Sequence, residues 1–156
     1  MKVEYVSPFV DAAIDVLREI MSVNDGEVKR GKLSLSSGPG PGQAVTTVVR
    51  LKGELNGCVH VAMSRDTAIK VGSEFTGEAE PGMNSRVRSS VVEMTEMIAS
   101  RASARIRAMG YGLEQMPPYL LAGRSAGYQE ELNGPALEIP VESPCGILYI
   151  NVSISE

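Results

Sequence analysis

The sequence predicts an α+β fold, with antiparallel sheets, a long central helix and two further helices. Three observations lead there. One stretch near the middle of the chain keeps an apolar stripe at helical spacing over some seven turns. Two Val- and Thr-rich stretches alternate in polarity around an Asn-Gly turn signal. The elements run helix, strands, helix, helix, strands, which segregates helices from hairpins instead of alternating them as a parallel sheet requires.

Ser7-Pro8 opens the first helix, since Ser can cap and Pro is tolerated at the first helical position. Phe9, Val10, Ala13, Val16, Leu17, Ile20 and Met21 then recur at helical spacing up to Asn24-Asp25-Gly26. Residues 27–35 read as a strand, and Ser36 to Gly42 as a Gly/Pro/Ser connector. Its glycines are not a phosphate loop, because no Gly-Lys-Ser/Thr follows. Residues 43–52 and 57–63 form a hairpin around Glu54-Leu55-Asn56-Gly57. A short helix runs from Arg65 to about Thr76, capped by Ser64 or Asp66 and broken at Gly77 and Pro81-Gly82. The long helix covers 84–109 and stops at Gly110. Met116-Pro117-Pro118 must be extended or turned, and strands follow at about 118–123, 135–143 and 146–154. The helix-then-hairpin order of 8–63 thus returns at 84–154.

With 156 residues, 43% hydrophobic and 22% charged, the chain is expected to form one domain across 1–156 with a sizeable core. A net charge of −4 and the lack of a basic tract exclude a general nucleic-acid binder. Without Trp, and with seven Phe plus Tyr, a base-stacking platform is excluded too. The first residues lack the apolar run of a signal peptide, and no stretch has the ~18 consecutive apolar residues of a membrane span. A cytoplasmic protein is expected. Cys58 and Cys145 are isolated in sequence, which disfavours a disulfide framework or structural zinc and favours small buried thiols. His60 lies in a hairpin strand between Val59 and Val61, and is expected to face solvent or to be a satisfied strand residue.

Steps of ~100° per residue divide the long helix into two faces. Val87, Val91, Met94, Ile98, Ala102, Arg105 and Met109 form the expected core stripe. Ser89, Glu93, Glu96, Ser100, Ser103 and Arg107 lie opposite and are expected to face solvent. Two carboxylates at i, i+3 can be plain solvated charges, an acid/base pair or metal ligands. No His or Asp joins them at helical spacing, so a metal-dependent hydrolase is disfavoured. Serines beside the glutamates leave a flat polar face suited to docking another protein.

The stretch Ser89-Ser-Val-Val-Glu93-Met-Thr-Glu96-Met-Ile-Ala-Ser-Arg-Ala, followed by Pro118-Tyr-Leu-Leu-Ala-Gly123, resembles the CheX branch of the CheC/CheX/FliY family. So do the N-terminal Met-Lys-Val-Glu-Tyr-Val-Ser-Pro-Phe-Val-Asp-Ala, the Gly53-Glu-Leu-Asn-Gly57 hairpin, the Asp66-Thr-Ala helix and the closing strands. The resemblance implies a CheC-like fold and a phosphatase acting on the aspartyl phosphate of a CheY-like response regulator. The family motif is Asp or Ser, three residues, Glu, two residues, Asn, and a Pro some twenty residues on. Ser89, Glu93 and Pro118 match it, and Glu96 stands where the family has Asn. The resemblance makes Glu93 and Glu96 the catalytic candidates and Ser89, Glu93 and Pro118 the partner-binding ones, to which the flat polar face adds Ser100. It implies that the response regulator brings its own Mg²⁺, that this chain binds no cofactor, and that the protein is a homodimer formed by strand exchange.

Position 96 leaves two readings open. Asn offers a donor and an acceptor without charge, whereas ionised Glu offers acceptors only. A carboxylate ~4 Å from a phosphoryl charge meets repulsion of about 4 kcal/mol at an effective dielectric of ~20. Either Glu96 still positions the attacking water, or the chain is a non-catalytic response-regulator-binding module silenced at this position.

Overall fold

The computed structural model describes residues 3–22, 26–36, 43–121 and 136–156. The first helix, α1 (Ser7–Met21), begins one residue earlier than the capping signal implied. Val6 occupies the cap position and has no side chain to donate or accept, so Ser7 is itself helical and Pro8 sits in the first turn. Phe9, Val10, Ala13, Val16 and Leu17 are fully buried, as their spacing requires. The Asn24-Asp25 stop signal lies outside the described residues.

The strand expected at 27–35 is two short pieces, β1 (Lys29–Arg30) and β2 (Ser34–Ser36). Both pair antiparallel with β7 (Ala136–Ser143). Pro140 of β7 is the cause of the break, because it has no N–H to give to the ladder. β1 pairs with residues 141–142 and β2 with 136–138, on either side of it. Gly31 crosses at that point, donating its N–H to the Pro140 carbonyl at 2.7 Å. Of the expected connector, residues 37–42 lie outside the described residues.

The hairpin is present as β3 (Val45–Gly53) and β4 (Asn56–Met63), in a register that pairs Val48 with His60 and Leu51 with Gly57. Its turn is Glu54-Leu55, not Asn56-Gly57. Asn56 instead buttresses the turn, its Nδ2 donating to the Gly53 carbonyl at 3.0 Å. Gly57 is needed for another reason: at φ +148, a Cβ would stand 1.9 Å from the Ser153 carbonyl oxygen.

α2 (Arg65–Thr76) is capped by Ser64, which accepts from the Thr67 N–H, and it ends on Gly77 in the left-handed region. α3 (Ser85–Ala108) is capped by Asn84 through the Val87 N–H. Between them, the Glu80 side chain is buried and receives Arg86, Asn84 and Thr76. The Arg86 guanidinium, ahead of Asn84, holds the Glu80 carboxyl down at about 2, so it stays ionised and ties the loop to α3.

All strand pairs are antiparallel, and they form one sheet in the order β1-β7-β8-β4-β3-β5. β5 (Leu113–Gln115) and β6 (Tyr119–Leu120) both pair with β3, and β8 (Gly146–Ser155) lies between β7 and β4. The two hairpins therefore meet through β4 and β8. β5 carried no legible signal, being three residues long. The strand expected at 118–123 is confined to Tyr119–Leu120 among the described residues.

The helices cover one face of this sheet. Val49, Leu51, Val59, Val61, Leu148, Ile150 and Val152 alternate onto it and join Met94, Ile98 and Ala102 of α3 in the core. Complete burial of a side chain such as Ile98 contributes about 1.5–3 kcal/mol. Thr47 and Thr95 share a buried 2.6 Å hydrogen bond that pins α3 on β3. The opposite face carries Val48, Cys58, His60, Ala62 and Asn151, all fully buried. His60 is thus a buried residue and not a solvent-facing one. Cys58 and Cys145 are both buried free thiols. Among the described residues, no helix is long and apolar enough to cross a membrane.

Two positions of the expected core stripe are exposed. Arg105 reaches Asp15 of α1 at 2.6 Å, and Met109 lies at the last turn of α3. Ile106 takes the inward position instead. Conversely Ser103, expected in solvent, is fully buried. β5 runs along that flank of α3, bonding Arg107 through the Leu113 carbonyl and Ser100 through Gln115, with Ser103 between them.

Candidate functional site

Helical geometry places Ser89, Glu93 and Glu96 on one face of α3, at i, i+4 and i+7. The segment after β5 faces them. Pro117 and Pro118 have fixed φ and no N–H, so this wall is stiff and leaves no donor unpaired. It is tied to β3 at both ends, through Met116 N–H to the Arg50 carbonyl and Leu121 N–H to the Thr46 carbonyl, at 2.8 and 2.9 Å.

Between α3 and this wall lies an open groove of about 540 Å³. Ser89, Glu93, Glu96 and Pro118 all line it, so four of the five residues singled out in the sequence come together. Ser100 does not line the groove. It stands one turn beyond, donating from Oγ to Glu96 Oε1 at 3.2 Å.

Four lining residues were not anticipated: Arg88, Val92, Pro117 and Leu120. Arg88, Val92 and Glu96 follow each other at i, i+4 and i+8, so the helix wheel contained the first two as neighbours of the site. Leu120 was not legible, because its place depends on β6 pairing with β3. Together Val92, Leu120 and the two prolines make an apolar floor, flanked by the Glu93 and Glu96 carboxylates and the Arg88 guanidinium.

The two glutamates differ in their surroundings. Glu93 is exposed and, among the described residues, has no hydrogen-bond partner. Glu96 is half-buried and held. Gln115 Nε2 donates to Glu96 Oε1 at 3.1 Å and to Ser100 Oγ at 3.2 Å. With the Ser100 bond, this closes a ring of three side chains around one carboxylate oxygen. Gln115 sits on β5 and had no sequence signal.

Among the described residues, no group of three or more His, Cys, Asp or Glu side chains could hold a metal ion. The arrangement offers a protruding free carboxylate for a cationic partner group, an anchored carboxylate as a hydrogen-bond acceptor, and an apolar floor for docking.

The family described as chemotaxis phosphatase CheX matches residues 45–142. The CheY-P phosphatase CheX of Thermotoga maritima is 24% identical over 125 residues, covering 80% of this chain and 79% of that protein. A chain of the CheX–CheY–BeF3–Mg²⁺ complex from Borrelia burgdorferi aligns with a TM-score of 0.82 at 26% identity, over 99% of this chain and 100% of that one. A CheC-like superfamily protein from Shewanella sp. PV-4 aligns with a TM-score of 0.85 at 20% identity, over 100% of both chains, and so shares the fold.

Proposed function

The chain belongs to the chemotaxis phosphatase CheX family, and on that basis we propose that it dephosphorylates the aspartyl phosphate of a CheY-like response regulator. The observation that carries this reading is the convergence of Ser89, Glu93, Glu96 and Pro118 on one groove. Similarity to a chain from a CheX–CheY complex supports the choice of partner. In this reading the α3 face docks over the phosphoryl site of the response regulator. Glu93 pairs with a lysine of the partner, and Ser89, Ser100 and Pro118 contact its surface. Glu96 takes the place of the family's carboxamide and holds the attacking water in line. Positioning accounts for most of the rate in phosphoryl transfers of this kind. The response regulator brings the phosphoaspartate and the Mg²⁺ that offsets its charge. Both proteins then work in the cytoplasm.

The test is the phosphoryl lifetime of a cognate response regulator, loaded from a small phosphodonor with Mg²⁺. Saturating parent protein is expected to shorten it, and an unchanged lifetime overturns the reading. Glu93→Gln keeps the shape but removes the charge of an exposed residue. It is expected to weaken binding about tenfold, as for loss of one charged hydrogen bond.

A second reading rests on Glu96 itself. Its charge faces an anionic substrate, which favours a module that binds the response regulator without hydrolysing it. In that case the parent protein binds and leaves the lifetime unchanged, and Glu96→Asn shortens it.

We also propose a homodimer formed by strand exchange at the sheet edges. β2 lies on an edge, where it pairs with β7, and its Leu35 is 78% exposed, an apolar residue on an edge strand. Light scattering at micromolar concentration is expected to give a dimer mass, and a monomer mass overturns the proposal.

A further inference from the structure

We propose that Gln115 is a positioning residue that makes the Glu96 carboxylate stand in for a carboxamide. The inference rests on the phosphatase reading and concerns the same site. An asparagine presents one oxygen as acceptor in a fixed place, whereas a free carboxylate presents two that exchange by rotation. Here the exchange is blocked. Gln115 Nε2 and Ser100 Oγ both donate to Glu96 Oε1, at 3.1 and 3.2 Å. Among the described residues Oε2 has no hydrogen-bond partner, and Glu96 lines the groove. One oxygen is therefore clamped and the other is left for the groove.

The direction of each bond in the ring is fixed by chemistry. A carboxylate only accepts, so the Gln115 amide must turn its NH₂ toward Glu96. The second proton of that NH₂ goes to Ser100 Oγ at 3.2 Å, and the Ser100 proton goes to Glu96. Each polar group has one role. The positive ends of two dipoles also converge on the carboxylate, which offsets part of its repulsion from a phosphoryl group.

In the reaction, Oε2 accepts a hydrogen bond from the attacking water and keeps the water's lone pair toward phosphorus. The water oxygen forms the new bond, the phosphorus–aspartyl oxygen bond breaks onto the carboxylate, and of the water's two protons one leaves on the phosphate product and the other passes to solvent. Gln115 touches none of these atoms and acts through Glu96.

The clamp depends on the length of Glu. Asn at position 96 is one methylene shorter and draws its head group away from Gln115. Removing the Gln115 amide therefore matters when residue 96 is Glu and not when it is Asn. A merely structural role for Gln115 would cost the same in both backgrounds. The experiment compares parent, Gln115→Met, Glu96→Asn and the double variant. Each is assayed for response-regulator affinity and for dephosphorylation rate at saturation. Gln115→Met is expected to lower the saturated rate roughly tenfold with affinity unchanged, and to have no effect in the Glu96→Asn background. Equal losses in both backgrounds, or no loss in either, overturn the inference and leave the phosphatase reading standing. An inert parent beside an active Glu96→Asn variant also overturns it, because Glu96 then does not replace the carboxamide. If parent and Glu96→Asn both bind and are both inert, the phosphatase reading fails and the inference falls with it.

Discussion

Glu96→Ala is expected to return the phosphoryl lifetime of the response regulator to its intrinsic value, and Glu96→Asn to shorten it below that reached with the parent protein. The two substitutions separate what Glu96 supplies from what it costs. In the proposed mechanism alanine removes the acceptor that holds the water, so the groove would still dock the partner but position nothing. Asparagine keeps an acceptor and removes the charge. A carboxylate ~4 Å from a phosphoryl group meets about 4 kcal/mol of repulsion at an effective dielectric of ~20, which corresponds to roughly three decades of rate. In the proposed complex a lysine and Mg²⁺ of the partner would offset much of this, together with the donors that Gln115 and Ser100 direct at Glu96. The gain from Glu96→Asn is therefore expected at about tenfold, with three decades as the unscreened ceiling. An Ala variant as fast as the parent would remove Glu96 from the mechanism.

The second large effect is on stability and is read by pH. His60 lies on the sheet face away from the helices, fully buried beside Cys58 and opposite Asn151 and Val48 in the strand register. Burial, helped by the nearby Arg50 cation, pushes the imidazole down to about 4 from an ordinary 6.5. The unfolded chain therefore takes up a proton that the folded chain refuses. Stability from this group is complete above pH 6.5 and is lost as pH falls toward 4. The linkage amounts to about 2 kcal/mol between pH 7 and 5. That window lies above the ordinary carboxylate range, so Glu80 stays ionised throughout. Urea unfolding of the parent at pH 7, 6 and 5 is expected to show this decline, and His60→Gln is expected to lack it. Parallel declines in the two proteins would assign the acid sensitivity to other groups.

The elements that could be read in advance share one property: their signal is local. The spacing of Phe9, Val10, Val16 and Leu17 determines α1, and Ser64 and Gly77 determine both ends of α2. The alternation of 43–52 and 57–63 determines the β3–β4 hairpin. The site was legible on the same terms. Ser89, Glu93 and Glu96 lie within two turns of one helix, so their common face follows from helical geometry. Pro118 was found through the family motif, because nothing in its own neighbourhood points back to α3.

What was not legible depends on partners far away in the chain. The break between β1 and β2 is imposed by Pro140 on a strand more than a hundred residues later. Ser103 and Arg105 exchange their expected environments because β5 covers one flank of α3 and Asp15 of α1 waits beside the other. His60, whose neighbours allow a solvent-facing or a satisfied strand residue, is fully buried on the sheet face away from the helices, and that burial has no local signal.

The sequence by itself determined the α+β class, the long helix and the face of it that carries two glutamates, since helix and strand periodicities are set by residues a few positions apart. Only the tertiary structure decided what surrounds those glutamates. The groove wall, the apolar floor apart from Val92, and the Gln115 amide on Glu96 come from chain that is distant in sequence, and pairing between β3, β5 and β6 brings it alongside α3. The acceptor geometry of Glu96 is a property of that packing, because a carboxylate's hydrogen-bond partners are chosen by proximity in space.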